Sequence, residues 1–177
     1  MKRTIVTALS LAAVASAALA ATAQAGYSTV EQCTSLSGTI HYAPTLKKAP
    51  GAVTETITGT ITGCSGQNGA QDGTGTFFAQ LSSPNSSTTA NNETGTFVIN
   101  WPAAAGLNPT TGSVSLLGPN AGAYTLQGAD HGGAYASGVL SSALAITGQT
   151  LGTARKHPIV AQSFVNTLPL AIKVNFG

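Results

Sequence analysis

The residues best placed for chemistry are Asp130 and His131, which adjoin in the run Gly-Ala-Asp-His-Gly-Gly. Glycines on both sides let a backbone approach a ligand closely, and a carboxylate beside an imidazole can bind a metal or a sugar hydroxyl. Tyr124 and Tyr135 flank this run, and tyrosine rings stack on sugars while their hydroxyl groups form hydrogen bonds. The four residues are therefore a candidate ligand-binding face.

The same residues also have a purely structural interpretation. Asp130 and His131 fit a tight turn in which the Asp caps its own backbone and the His is solvated, and we favour this turn. Tyr124 alternates with Leu126 along the chain, which places Tyr124 towards the core. The binding face and the turn are both kept as hypotheses.

The rest of the chain offers no recognisable catalytic or metal-binding set. It has no Gly-x-Ser-x-Gly pentapeptide, and no spacing among its five acidic residues singles out a glycosidase pair. His41, His131 and His157 share neither the strand nor the helix spacing of neighbouring zinc ligands. We therefore predict no catalytic residues, no metal and no cofactor.

Residues 1–25 have the composition of a cleaved secretory signal peptide. Lys2 and Arg3 precede an apolar run over 5–21, and Ala-Gln-Ala at 23–25 predicts cleavage before Gly26. The apolar run is too short for a stable membrane anchor. The sequence predicts a secreted, extracellular protein with one domain over 26–177 and no membrane span.

The charge and cysteine content further restrict the class of protein and its possible partners. The predicted mature chain has five basic and five acidic residues, so its formal net charge is zero. A surface without clusters of basic residues offers no binding site for nucleic acid. Cys33 and Cys64 lie in an oxidising compartment, where we predict that they form a disulfide. By the loop-entropy model this bridge contributes about 3.5 kcal/mol of stability.

The elements that must position these residues are strands. The clearest is 53–63, where five threonines alternate with a face carrying Val53, Ile57 and Ile61. The last strand places one set of apolar residues on a single face, and Pro169 predicts an edge or a bulge there. That set is Phe164, Leu168, Leu170, Ile172, Val174 and Phe176.

A repeated Ser/Thr-Gly-Ser/Thr motif predicts strand openings, centred on Gly38, Gly59, Gly75, Gly95 and Gly112. Trp101 follows Phe97 and Ile99 at alternate positions and is interpreted as a core residue. About eight strands separated by turn residues are typical of a sandwich. The predicted fold is all-β: a single antiparallel β-sandwich with one disulfide.

Three segments resemble a group of small secreted actinobacterial proteins that are rich in Gly and Thr. They are Cys33 with Ser37-Gly38-Thr39, the run Thr-Gly-Thr-Ile-Thr-Gly-Cys-Ser-Gly at 58–66, and the run Gly-Thr-Phe-Val-Ile-Asn-Trp at 95–101. Members of the group often carry a further cysteine pair, which this chain lacks. The resemblance implies an extracellular β domain and supplies no catalytic residues.

Two functions follow as hypotheses. The first is a secreted, non-catalytic binding or assembly module that engages an extracellular protein or a surface glycan, as an oligomer or part of a larger assembly. In that case, residues 26–32 could add a strand to a partner's sheet. The alternative is a small secreted hydrolase acting on an extracellular or cell-wall polymer through Asp130 and His131.

Overall fold

A computed structural model describes residues 27–47, 49–67, 69–87, 91–120, 123–147 and 159–175. The predicted leader, Lys48, Arg155, Lys156, His157 and Phe176 lie outside these ranges. Eight strands and one short 3₁₀ helix, Ala103–Ala105, follow one another along the chain. The strands are β1 (Tyr27–Leu46), β2 (Gly51–Gly66), β3 (Gly69–Ser86), β4 (Asn91–Asn100), β5 (Thr110–Asn120), β6 (Ala123–Gly132), β7 (Val139–Thr147) and β8 (Ile159–Asn175).

The strands form a closed barrel in which each pairs antiparallel with its neighbours in sequence, and β8 returns to pair with β1. The predicted all-β class, antiparallel pairing and strand number are confirmed, but the predicted sandwich is wrong. A sandwich needs two sheets with separate edges, whereas the β1–β8 ladder leaves this sheet no edge. We call the end where β1, β3, β5 and β7 finish the upper end, and the opposite end the lower end.

The motif around Gly112 opens β5, as the sequence predicts, whereas the other four lie inside their strands, which corrects the sequence interpretation for Gly38, Gly59, Gly75 and Gly95. A side chain at these positions would meet a neighbouring strand or the core. A Cβ on Gly112 would overlap the Ala129 carbonyl oxygen and lie 2.8 Å from Phe97 Cε1, and one on Gly95 would overlap the Gln80 carbonyl oxygen. Because glycine has no side chain, neighbouring strands can approach closely at these positions, which a tightly coiled barrel requires.

Strand β8 contains the predicted irregularity at Pro169, because its register with β1 shifts between Val165 and Leu170. Its register with β7 shifts on both sides of Leu168, so this residue turns outward and is 58% exposed, contrary to its predicted core position. The Asn166 amide bridges the seam between β1 and β8: Leu36 N donates to Asn166 Oδ1 at 2.9 Å, and Asn166 Nδ2 donates to the Thr34 carbonyl at 3.0 Å.

The start of β1 is occupied by this same seam. Tyr27 pairs with Asn175, Ser28 with Val174, and Thr29 with Lys173. The described part of the 26–32 segment therefore belongs to the β1–β8 ladder, and Glu31 and Gln32 pair with β2 as well. Because the β1–β2 ladder begins at Glu31, residues 27–29 are paired on one side only, and strand addition by this segment stays a prediction.

The inward face of the barrel is the core, and the outward face is largely Thr, Ser and amide side chains. Ile57 and Ile61 are buried, while Thr58 and Thr60 are exposed, as their alternation predicts. Trp101 is buried in the core at the lower end. The predicted disulfide is confirmed, and Cys33 and Cys64 are direct partners in the β1–β2 ladder.

Candidate functional site

Asp130 and His131 lie near the end of β6 and point to opposite faces of the barrel wall. Asp130 is 2% exposed and inward, whereas His131 is exposed and forms a 3.0 Å hydrogen bond between its Nε2 and Ser113 Oγ. They belong to the strand and precede the turn, which runs over 133–137. The Asp130 carboxyl oxygens have no hydrogen-bond partner, so they do not cap the backbone.

Tyr124 and Tyr135 lie at opposite ends of the barrel. Tyr124 begins β6 and is buried at the upper end, as its alternation with Leu126 predicts, whereas Tyr135 lies in the lower-end connection between β6 and β7. The structure therefore does not assemble Tyr124, Asp130, His131 and Tyr135 into one binding face. It places two of them in separate polar clusters inside the barrel.

The lower cluster is built around Glu31, near the start of β1. Glu31 Oε2 accepts hydrogen bonds from Tyr135 Oη at 2.7 Å and Gln71 Nε2 at 3.0 Å. Trp101 packs edge-on against Tyr135, with ring centroids 5.6 Å apart, and Trp101 Nε1 donates to Thr110 Oγ1 at 2.9 Å. These contacts bind the connections after β4 and β6 to the barrel, so the cluster closes its lower end.

The upper cluster gathers Tyr42, Glu55, Ser86, Glu93, Tyr124 and Gln162 from β1, β2, β3, β4, β6 and β8. The Glu55 and Glu93 carboxyl groups form a pair in which each acts electrostatically on the other. The Ser86 hydroxyl donates to Glu93 Oε1, and Tyr42 Oη donates to Gln162 Oε1 at 2.7 Å. Tyr42 is also the direct ladder partner of Glu55.

Burial dominates the electrostatics of this upper cluster. Burial, and to a smaller extent the neighbouring Glu93 charge, raises the pKa of Glu55 to about 9. Burial also raises the pKa of Glu93, although its hydrogen bond with Ser86 opposes that shift. The pKa values of Tyr42 and Tyr124 rise because both are buried and both face the two carboxyl groups. Glu55 is therefore protonated at neutral pH.

Several polar atoms of the upper cluster have no hydrogen-bond partner. They are both Glu55 oxygens, Glu93 Oε2 and Tyr124 Oη. Glu55 and Glu93 are 0% exposed and Tyr124 is 1% exposed, so these atoms are shielded from bulk solvent. A buried polar atom without a partner costs about 1–3 kcal/mol.

The outer wall carries two adjoining depressions of about 340 Å³ and about 310 Å³, which share Thr94 and Gly95. Together they cross the outer face from β2 to β6. Their polar side chains carry hydroxyl or amide groups, and none is charged; they include Thr54, Gln80, Thr94, Ser113, Ser115 and Gln127. Ser113 is the partner of His131, which therefore lies beside the larger depression.

The upper carboxyl pair escaped the sequence analysis although a signal for it exists. Glu55 occupies the same alternate set as Val53, Ile57 and Ile61, and Glu93 the same set as Phe97 and Ile99. An acidic residue in the apolar set of a strand is expected to be buried. What the sequence does not show is that the two strands bring these carboxyl groups together.

The described residues define a class: a closed, up-and-down antiparallel β-barrel of eight strands, with a polar outer wall and buried carboxyl groups at both ends. No family model, no curated protein and no solved structure matches the chain. Across the described ranges, no helix has the length and hydropathy needed to cross a bilayer. The same ranges contain no group of three or more His, Cys, Asp or Glu able to hold a metal ion.

Proposed function

We propose that this protein is a secreted, non-catalytic binding protein that encloses a small ligand at the upper cluster. The unpartnered oxygens of Glu55, Glu93 and Tyr124 carry the proposal. A partly satisfied polar network is costlier than an apolar core, and a ligand with hydrogen-bond donors would remove that cost. Barrels of eight strands enclose enough space for side chains or for one small ligand.

Binding accounts for the cluster better than hydrolysis does. Asp130 and His131 lie on opposite faces of β6 and cannot act on one bond together. The Glu55–Glu93 pair is enclosed, whereas hydrolysis of a polymer needs carboxyl groups that flank an accessible chain.

Native mass spectrometry of the secreted chain tests the proposal. We expect a mass above that of the polypeptide, with a small molecule released on denaturation. The Glu55→Gln/Glu93→Gln variant should lose this mass. Tyr135→Phe alters the lower cluster and should keep it. A ligand-free wild-type protein whose Tm is shifted by no member of a small-molecule library would overturn the proposal.

A second binding function is favoured by the two depressions on the outer wall. Their hydroxyl and amide side chains match a neutral glycan, and five adjacent strands span about 20 Å at a spacing of about 4.8 Å. We infer that a neutral polysaccharide would lie across the strands there. Such binding would place the protein on a glycan surface or in a larger extracellular assembly.

Affinity electrophoresis in gels containing soluble neutral polysaccharides tests this second function. We expect retarded migration of the wild type, and loss of the retardation in Ser113→Ala/Gln127→Ala. Thr60→Ala removes an exposed hydroxyl outside the depressions and should migrate like the wild type. Equal migration of all three proteins in every gel would contradict a glycan function.

A further inference from the structure

The chemistry of the upper cluster restricts the class of ligand, if the proposed binding function holds. The titratable groups that act on one another there are Tyr42, Glu55, Glu93 and Tyr124. Within the part of the chain that the structure describes, no basic side chain acts on either carboxyl group. Among the described residues, the cluster therefore offers carboxyl groups and other acceptors without a compensating cation.

The strands around the carboxyl pair add only apolar or neutral groups. Leu81 is the ladder partner of Glu55, Leu116 that of Glu93, and Leu144 that of Tyr124. These leucines are buried and provide an apolar wall beside the polar atoms. The surroundings therefore suit a ligand with one charged end and a short hydrocarbon chain.

Three ligand classes fit these groups poorly. An anion would meet the carboxyl pair with like charge, and a neutral alcohol would bring no positive charge to it. A divalent cation such as Ca²⁺ takes about six to eight oxygen ligands, and the described residues contain no group of three or more acidic, His or Cys side chains able to hold a metal ion. A primary ammonium group brings one positive charge and three N–H donors to Glu55, Glu93 and Tyr124.

We propose that the upper cluster binds the ammonium group of a small primary alkylamine through the unpartnered oxygens of Glu55, Glu93 and Tyr124. On binding, the O–H bond of the Glu55 carboxyl group breaks and its proton passes to the solvent. Both carboxylates then accept N–H hydrogen bonds, and Tyr124 Oη accepts a third. One cation enters and one proton leaves, so charge and atoms balance.

Isothermal titration calorimetry with n-butylamine, n-butanol and n-butyltrimethylammonium tests this exchange. Only n-butylamine should bind, and buffers of different ionisation enthalpy should report about one proton released per ligand. Because one proton is released, its Kd should fall about tenfold per pH unit between pH 6 and pH 8. Glu55→Gln should abolish the proton release, because the proton is held by Glu55, and Tyr124→Phe should weaken binding.

Tyr135→Phe and Asp72→Asn are the matched controls, because one alters the lower cluster and the other an exposed carboxyl group; both should bind like the wild type. Equal binding of butanol without proton release would overturn the ammonium exchange and leave the small-ligand function standing. No binding of n-butylamine would also overturn the exchange. The binding function itself is decided separately by the bound mass in the secreted chain.

Discussion

Burial without a hydrogen-bond donor raises the pKa of Asp130 to about 6, and the neighbouring His131 partly opposes that rise. The native state therefore holds this proton more tightly than the unfolded chain does, whose pKa is near 3.8. By linkage, the free energy of unfolding falls as pH rises from about 4 to about 6 and is then constant. This residue alone makes the protein more stable in mild acid.

Asp130→Asn should remove this part of the pH dependence, because an amide does not titrate. We expect the change in unfolding free energy between pH 4 and pH 7 to shrink by about 2 kcal/mol. Urea denaturation at both pH values measures it. Asp72→Asn, which alters an exposed carboxyl group, should leave the difference unchanged. An unchanged difference in Asp130→Asn would show that Asp130 titrates normally.

At the residue scale, alternation along a strand predicts whether a side chain points into the barrel or outward, but not which residues it contacts. It places Tyr124 inward correctly, and it also marks Glu55 and Glu93 as inward acids. It does not predict the Glu55–Glu93 pair, because the partner of an inward side chain depends on how far neighbouring strands slide past one another. It also separates Asp130 from His131, because consecutive strand residues face opposite ways.

At the scale of strands, the inward glycines set how closely neighbours approach. Gly112→Ala would force a methyl group against the Ala129 carbonyl and the Phe97 ring, so we expect a loss of about 1–3 kcal/mol in unfolding free energy. Gly51→Ala is the matched control, since a Cβ there meets nothing within 4 Å. Chemical denaturation of both variants measures the effect. Equal unfolding free energies of the two variants would show that β5 and β6 can move apart with little loss of stability.

The disulfide joins two strands that are already ladder partners. Replacing both cysteines by alanine should lower the unfolding free energy by about 3.5 kcal/mol, because the unfolded chain regains the freedom of a 31-residue loop. Equilibrium denaturation with and without reductant measures this loss. Reductant should lower the midpoint of the wild type and leave that of the alanine variant unchanged. A reductant effect on the variant would point to a different cause.

The strands were predictable from the sequence, but their arrangement was not. Eight alternating segments fit a sandwich and a barrel equally, and the distinction depends on whether β8 pairs with β1. The outward direction of the Leu168 side chain was not predictable from the sequence either. Its place in the apolar set predicts burial, yet register shifts on both sides reverse its direction. Such shifts arise from fitting two neighbouring strands at once, which one strand's pattern cannot show.

For the whole molecule, the Glu55–Glu93 pair makes stability depend on pH over a wide range. With the folded pKa of Glu55 near 9 and an ordinary value of 4.5, the native state keeps a proton that the unfolded chain loses. Stability is therefore highest below about pH 4.5 and falls as pH rises towards 9, by up to about 1.4 kcal/mol per pH unit.

Thermal unfolding between pH 5 and pH 9 should show a Tm that falls steadily, and Glu55→Gln should flatten that fall. Glutamine has the shape of the protonated carboxyl group and does not ionise, so the variant should also be more stable than the wild type at pH 8. Asp72→Asn should retain the wild-type slope. A wild-type Tm that rises across this range would contradict a raised pKa of Glu55.

The β1–β8 seam brings the two ends of the barrel's strand sequence together, with Tyr27 beside Asn175. A ring of strands that each pair with the next has no intrinsic first member. The chain is therefore suited to circular permutation: a short linker can join β8 to β1 while new ends open between Gly66 and Gly69. Such a permutant should form the same barrel and the same disulfide, because the fold depends on cyclic strand order and not on which strand is synthesised first.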